Sequence, residues 1–355
     1  MSVLLSSTAI AASASSMMDS TVPAASVASF ASVPSIDTAA SFAAALDTLP
    51  PAMLMGFAIV IGLVVGSFLN VVVHRLPIML ERAWRADAAE AFGHAPTSGE
   101  LFANDGANDG ANDDTNDTAS DNARDGLPTR YNLWLPRSAC PHCGHVLRAW
   151  ENIPVVSWLA LRGRCSQCGS RVSVRYPVIE LASAACAAGA LLAFGPTGKA
   201  LAAFALCATL IATSAIDLEH QLLPDAITLP LIWAGLLVNL AQTFTDLHAA
   251  VVGAVAGYLA LWCVYWLFRL LRGVEGMGHG DFKLLAALGA WLGWAALPQI
   301  VVIAAVTGAV VGLGATLSGR MRFEEPLPFG PYLAAGALVT LFAGTPLYAV
   351  FAWGN

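Results

Sequence analysis

Eight apolar runs, at about residues 52–73, 177–194, 199–216, 226–243, 247–268, 282–297, 298–317 and 330–351, leave this chain few ways to fold. A run of about 20 apolar residues crosses the hydrocarbon layer as a helix, because in lipid a segment must satisfy its own backbone polar groups. With 57% hydrophobic and 12% charged residues over 355 positions, the chain has too little polar surface to enclose these runs in a water-soluble core. The expectation is an all-α polytopic membrane protein with about eight transmembrane helices. Residues 282–297 are short for a bilayer about 30 Å thick, so helix ends and loops are expected to dip to different depths.

Charge orients the runs. Threaded alternately from an external N-terminus, they put Arg269, Arg272, Lys283, Arg320 and Arg322 inside and leave Lys199 outside, in agreement with the positive-inside rule. Residues 74–176 are hydrophilic and carry eleven of the 17 Lys and Arg residues, which predicts a cytoplasmic domain. The first span, 52–73, is expected to end where His74, Arg75 and Pro77 bring charge and a helix breaker. Residues 1–51 are rich in Ala, Ser, Thr and Pro without one Lys or Arg, so they read as a disordered tail rather than a cleaved signal peptide. A second disordered segment is expected at 103–126, a loose Asn-Asp-Gly repeat that cannot bury apolar surface. It supplies seven of the 24 acidic residues, so the net charge of -7 says little about a partner. A calcium loop there would lack its closing glutamate. The remainder, 177–355, is read as a seven-helix membrane domain.

Cys140-Pro141-His142-Cys143 and Cys165-Ser166-Gln167-Cys168 are two Cys-x-x-Cys knuckles, each followed by a glycine, Gly144 or Gly169. Four thiolates so spaced close a tetrahedral site around zinc, and the glycines permit the tight turns at which amides reach the sulfurs. The alternative is a pair of disulfides or a redox dithiol, which the expected reducing compartment and the lack of a thioredoxin-like context disfavour. With four protein ligands the zinc is structural, since a catalytic zinc keeps an open position. Cys186, Cys207 and Cys263 lie inside apolar runs and read as small buried hydrophobes.

Two aspartates stand where apolar runs meet polar loops. Asp217 ends the third run, and Asp281 begins the sixth after the hinge Glu275-Gly276-Met277-Gly278-His279-Gly280. Ionisable groups are costly at such places and point to function. In the threaded topology both lie on the cytoplasmic face and meet if their helices pack side by side. Two close carboxylates cannot both ionise, so one keeps a proton while the other takes a proton from water, the arrangement of an aspartic protease. Gly276, Gly278 and Gly280 let backbone approach an extended substrate. The bland alternatives are an interfacial or capping charge for Asp217 and an N-cap for Asp281. Asp225, after Pro224, reads as the cap of the fourth span. His220 and His279 read as exposed loop residues, and Lys283 either holds substrate carbonyls or snorkels to the headgroups.

These residues resemble a family, the type IV prepilin peptidases. The resemblance is carried from residue 52 onward by Gly66-Ser67-Phe68-Leu69-Asn70-Val71-Val72-Val73-His74-Arg75-Leu76-Pro77, the four cysteines and Trp150-Glu151-Asn152-Ile153-Pro154. Further on it is carried by Arg175-Tyr176-Pro177 through Glu180, Asp217 to Asp225, Gly276 to Lys283 and Pro328-Phe329-Gly330-Pro331-Tyr332. The resemblance implies a bifunctional, multi-pass enzyme of the bacterial inner membrane with its active site facing the cytoplasm. Such an enzyme removes the basic leader of type IV prepilins and type II secretion pseudopilins, then N-methylates the new N-terminal residue, usually Phe, with S-adenosylmethionine. It also implies that Asp217, not Asp225, partners Asp281, with Gly278, Gly280 and Lys283 in support. Expected partners are the prepilin substrates and the lipid bilayer, not nucleic acid. The tail and the Asn-Asp-Gly segment have no counterpart in the family pattern. Nothing in the residues themselves marks a methyltransferase, for no Gly-x-Gly-x-x-Gly follows a strand. A transporter reading would want mid-span carboxylates and inverted repeats, and a zinc-bearing scaffold would leave the Gly-x-Gly-Asp unused.

Overall fold

The computed structural model describes residues 49–92, 131–273, 278–319 and 327–344. Residues 1–48 of the tail expected at 1–51, the segment 103–126, Gly276, Arg320 and Arg322 lie outside the described residues, while Pro51 already begins a helix. Everything below belongs to one unit, Leu49–Asn355. Its described residues form nine α-helices: α1 (Pro51–Phe92), α2 (Val156–Ala160), α3 (Arg175–Phe194), α4 (Gly198–His220), α5 (Asp225–Asn239), α6 (Leu247–Arg272), α7 (His279–Leu292), α8 (Leu297–Leu317) and α9 (Gly330–Ala343). Among them the only β pairing is a pair of isolated antiparallel bridges in the cysteine segment.

Helices α1, α3, α4 and α6, with the stretch Trp294–Leu317 that contains α8, are long and apolar enough to cross a membrane. Their outer faces suit lipid, with Leu270 83% and Leu317 79% exposed. Cys263 is exposed on α6 for the same reason, whereas Cys207 is buried as expected and Cys186 is half-buried. Among the described residues five of the eight expected spans therefore reach crossing length, while α5, α7 and α9 have 15, 14 and 14 residues. Fourteen residues rise only about 21 Å.

Helix α7 is short because it is interior. It packs on α6, α5 and α9, and Phe282, Leu284, Leu285 and Leu288 are fully buried. A helix sheathed by protein need not match the bilayer. Close approach is made possible by glycines spaced four apart on α6. A Cβ at Gly253 would lie 2.4 Å from the Gly289 carbonyl oxygen, and one at Gly257 would lie 2.6 Å from that of Leu285. Gly62 and Gly66 do the same for α1 against α3, where a Cβ would meet the Cα of Ala184 at 2.5 Å and of Glu180 at 2.6 Å. Small residues at this spacing let backbones touch where lipid offers no hydrophobic drive between helices. Gly289→Ala would place its methyl 2.1 Å from the Gly253 carbonyl oxygen. It is expected to cost at least the roughly 1–3 kcal/mol of core overpacking. Thermal unfolding in detergent checks this against Gly314→Ala, whose added methyl meets nothing within 4 Å and should not destabilise.

The first helix does not stop at residue 73. It continues through Pro77 to Phe92. Proline removes only its own helical donor, and tertiary contacts hold the extension in place. Buried Arg75 donates to the carbonyl oxygens of Asn132 and Pro136 at 2.9 and 2.6 Å, and Arg75 and Arg82 both lie over the Tyr131 ring. The cysteine segment is thus fastened to the helices by side chains that local pattern does not reveal. Asn70 Nδ2 donates to the Tyr176 carbonyl at 3.1 Å, and Glu180 on α3 accepts the Val155 amide at 2.7 Å.

Candidate active site

Asp217 lies in the last turn of α4, which runs on to His220 and closes with Gln221 in the left-handed region at φ 50°. Only residues 221–224 connect it to α5, so the polar loop expected from Asp217 to Asp225 is confined to those four residues. Asp281 occupies the first turn of α7, whose N-cap is Gly278. Neither is a capping residue, and both are buried.

Asp217 Oδ2 and Leu223 both border Gly330, and Leu223 also borders Gly280, the residue before Asp281, so the two aspartates flank one place. They are brought together by third parties rather than by α4 and α7 packing side by side, for α9 and α5 each pack against both helices. Leu223 is the pivot, because a Cβ at Gly280 would lie 2.6 Å from its Cβ and one at Gly330 would lie 3.3 Å from its Cδ2. Gly280 therefore serves packing at this point, and Gly276 lies outside the described residues. Gly278 is exposed, and a Cβ there would meet only Asp281 Oδ2, at 3.9 Å.

The first residue of α9, Gly330, donates its amide to Asp217 Oδ2 at 2.9 Å. A Cβ at that position would stand 2.7 Å from the same oxygen, so the bond needs a glycine. Asp281 Oδ1, in contrast, is buried without a hydrogen-bond partner. Pro328-Phe329-Gly330-Pro331-Tyr332 carries part of the family resemblance, yet nothing local marks Gly330 as a donor.

Lys283 and Asp225 also differ from expectation. Pro224 is the N-cap of α5, and Asp225 instead receives Lys283 Nζ on both oxygens, at 2.6 and 2.7 Å. The pair joins the first turns of α5 and α7 beside the aspartates. With Asp225 55% exposed its expected strength is modest. A double-mutant cycle of Lys283→Ala and Asp225→Ala, read by thermal unfolding, should give a coupling of no more than about 1 kcal/mol. His220 and His279, expected in loops, are instead the last residue of α4 and the first of α7; both are exposed, and His279 lies against the rings of Tyr265 and Phe282.

The four cysteines converge. Their sulfurs all lie within 4.8 Å of one another, with Cys140 to Cys168 and Cys143 to Cys165 each at 3.9 Å. All four are free thiols, so the disulfide alternative is not realised. Four sulfurs held about 2.3 Å from a tetrahedral zinc stand about 3.8 Å apart, so the set fits that ion. The knuckles repeat one another, with Gly144 and Gly169 at φ 69° and 70° and their amides returning to the carbonyls of Cys140 and Cys165. The amides of His142 and then Cys143 donate to Cys140 and hold its thiol down to about 6, which favours the thiolate that a metal needs. Glu151 ties the two knuckles by accepting the Arg148 amide at 2.6 Å and the Ser166 hydroxyl while facing His145 Nε2 at 3.2 Å. The Arg148 amide first, and Ser166 next, keep its carboxyl below the usual carboxylate range.

Residues 60–194 match the family described as Bacterial Peptidase A24 N-terminal domain, and residues 204–313 match the Type IV leader peptidase family. A protein of Burkholderia pseudomallei (strain K96243) named "Prepilin leader peptidase/N-methyltransferase" is 64% identical over 305 residues, covering 86% of this chain and 90% of that protein. Proteins of the same name from Stutzerimonas stutzeri and Pseudomonas aeruginosa are 48% and 47% identical, each across 83% of this chain and 92% and 93% of their own lengths. No solved structure matches the chain.

Proposed function

The chain belongs to the type IV leader peptidase family, and from that premise we propose an enzyme with two activities. It cuts the basic leader from type IV prepilins and type II secretion pseudopilins, then methylates the new N-terminal residue, usually Phe, with S-adenosylmethionine. Its place is the bacterial inner membrane, with about eight crossings and the cut made at the cytoplasmic face. Residues 74–176 form the cytoplasmic domain and 177–355 the membrane protease domain. The observation that carries the peptidase half is the convergence of buried Asp217 and Asp281 at the ends of two helices.

In that reading one carboxylate takes a proton from water, whose oxygen bonds to the scissile carbonyl carbon, while the other gives its proton to the carbonyl oxygen. The first carboxyl then protonates the departing nitrogen as the C–N bond breaks, and the second regains its proton. Burial strengthens each electrostatic contribution. Gly280 supports the site by admitting Leu223, Gly278 by opening the first turn of α7, and Lys283 by tying α7 to α5 through Asp225.

Zinc would be held by Cys140, Cys143, Cys165 and Cys168, where it would clamp the two knuckles without joining the chemistry. S-adenosylmethionine supplies the methyl group. The described residues contain no strand-to-helix phosphate-binding turn of the dinucleotide type, and no residue is assigned to that cofactor.

The test is mass spectrometry of a prepilin peptide incubated with the purified protein, with and without S-adenosylmethionine. Leader loss is expected in both cases and a methyl mass only with the cofactor. An intact peptide under both conditions would refute the peptidase reading.

A further inference from the structure

The two aspartates are not equivalent in their surroundings. Asp217 Oδ2 receives the Gly330 amide at 2.9 Å, and Gly330 is the first residue of α9, so this carboxylate stands at a helix N-terminus and accepts one of its unspent N–H groups. Asp281 also sits in a first turn, that of α7, and the dipole there favours its charge. What it lacks is a donor, since Oδ1 is buried and unbonded. The direct bond decides between two otherwise similar helix ends, because a hydrogen bond to a charged group outweighs the diffuse field of a dipole.

We propose that Gly330 is a positioning residue of the dyad, whose amide keeps Asp217 as the ionised partner and leaves Asp281 to carry the shared proton. The inference rests on the peptidase reading of these two aspartates. The adjacent cation Lys283 is engaged by both oxygens of Asp225. The exposed His279 lies against Tyr265 and Phe282.

The assignment fixes the direction of each step. Asp217 takes the proton from water, and the water oxygen bonds to the carbonyl carbon. Asp281 gives its proton to the carbonyl oxygen, which produces a geminal diol. Asp217 then passes its proton to the amide nitrogen as the C–N bond breaks, while Asp281 recovers a proton from the diol as the carboxyl product forms. Both groups return to their starting states and no external proton is consumed.

The side chain at 330 is decided by the same geometry. A methyl there would lie 2.7 Å from Asp217 Oδ2 and force the carboxylate off its donor. Gly330→Ala is therefore expected to lower kcat on a prepilin peptide by on the order of a hundredfold, the lower end of what acid–base groups contribute, with KM little changed. Methylation of a pre-cleaved peptide should be unaffected. If the alanine variant fails to fold, an amide-to-ester replacement at residue 330 deletes the N–H without adding an atom to the crowded side and should show the same kcat loss.

Infrared difference spectra supply a readout that mere structural support would not move. Against the full-length protein, Asp281→Asn should remove one protonated-carboxyl band, whereas Asp217→Asn, which lifts the neighbouring charge, should shift or weaken that band. Full kcat in the alanine or ester variant, while both Asp→Asn variants are dead, would overturn the role of Gly330 and leave the dyad standing. Persistence of the band in Asp281→Asn would overturn the proton assignment. Activity in either Asp→Asn variant would refute the dyad reading beneath both.

Discussion

Asp217→Asn and Asp281→Asn are each expected to abolish leader cleavage, while Asp225→Asn keeps it. An amide cannot receive or release the proton that the pair must move, and positioned acid–base groups are worth roughly a hundredfold to ten-thousandfold each. Both aspartates are buried, and the amide, which is nearly the same size, should leave the fold and the four-cysteine cluster in place. Asp225 differs in kind. It is 55% exposed and engaged by Lys283, and a pair of that sort is worth at most about 1 kcal/mol, so its loss should change the rate by no more than roughly fivefold. Cleavage of a prepilin peptide, followed by mass spectrometry beside thermal unfolding of each variant, measures all three. A dead Asp225→Asn with an active Asp217→Asn would exchange the roles of the two residues.

Removing one cysteine should have the second large effect, on metal and on the segment built around it. Purified protein is expected to carry about one zinc per chain, and Cys140→Ser or Cys168→Ser to carry far less, because structural zinc sites draw on apparent binding energies of about 10–16 kcal/mol that three thiolates do not sustain. Among the described residues this segment has no strand, only two isolated bridges, a single 3-10 turn at Ala149–Asn152 and the short helix α2, so little else holds its two knuckles together. Glu151 reaches across between them, and Glu180 and Arg75 fasten the segment to α3 and α1. Loss of zinc should therefore appear as protease sensitivity within residues 131–173, with the membrane helices intact. Metal analysis and limited proteolysis of the same preparation decide it. A wild-type protein free of any thiophilic metal, with compact knuckles, would show that the thiols have another purpose.

Much of this molecule is legible in its residues because two of its constraints are local. Apolar length announces helices in lipid, and paired Cys-x-x-Cys spacing followed by glycine announces a turn that gathers sulfur. Both expectations match what the structure contains, down to the left-handed Gly144 and Gly169. The family resemblance, carried by motifs from Gly66 to Tyr332, is shown by comparison with relatives. The errors arose where a residue's neighbour is distant in sequence. Pro77 read as a stop, yet Arg75 and Arg82 meet residues 131–136 and the helix runs on. Asp225 read as a cap and Lys283 as a substrate or headgroup contact, but they are 58 positions apart and bind one another.

What the sequence determined by itself was that this chain is helical and membrane-bound, with four thiols gathered in one place and two aspartates at helix ends. Hydropathy, charge and motif spacing act over a few residues and need no partner to be read. Only the tertiary structure decided which helices are long enough to cross, which one is interior, and what each aspartate touches. Helix α7 is buried because Gly253 and Gly257 admit its backbone, and Asp217 is held by a glycine 113 positions away. Such contacts depend on the packing of whole helices, and a backbone amide carries no side chain by which a sequence could announce that it donates.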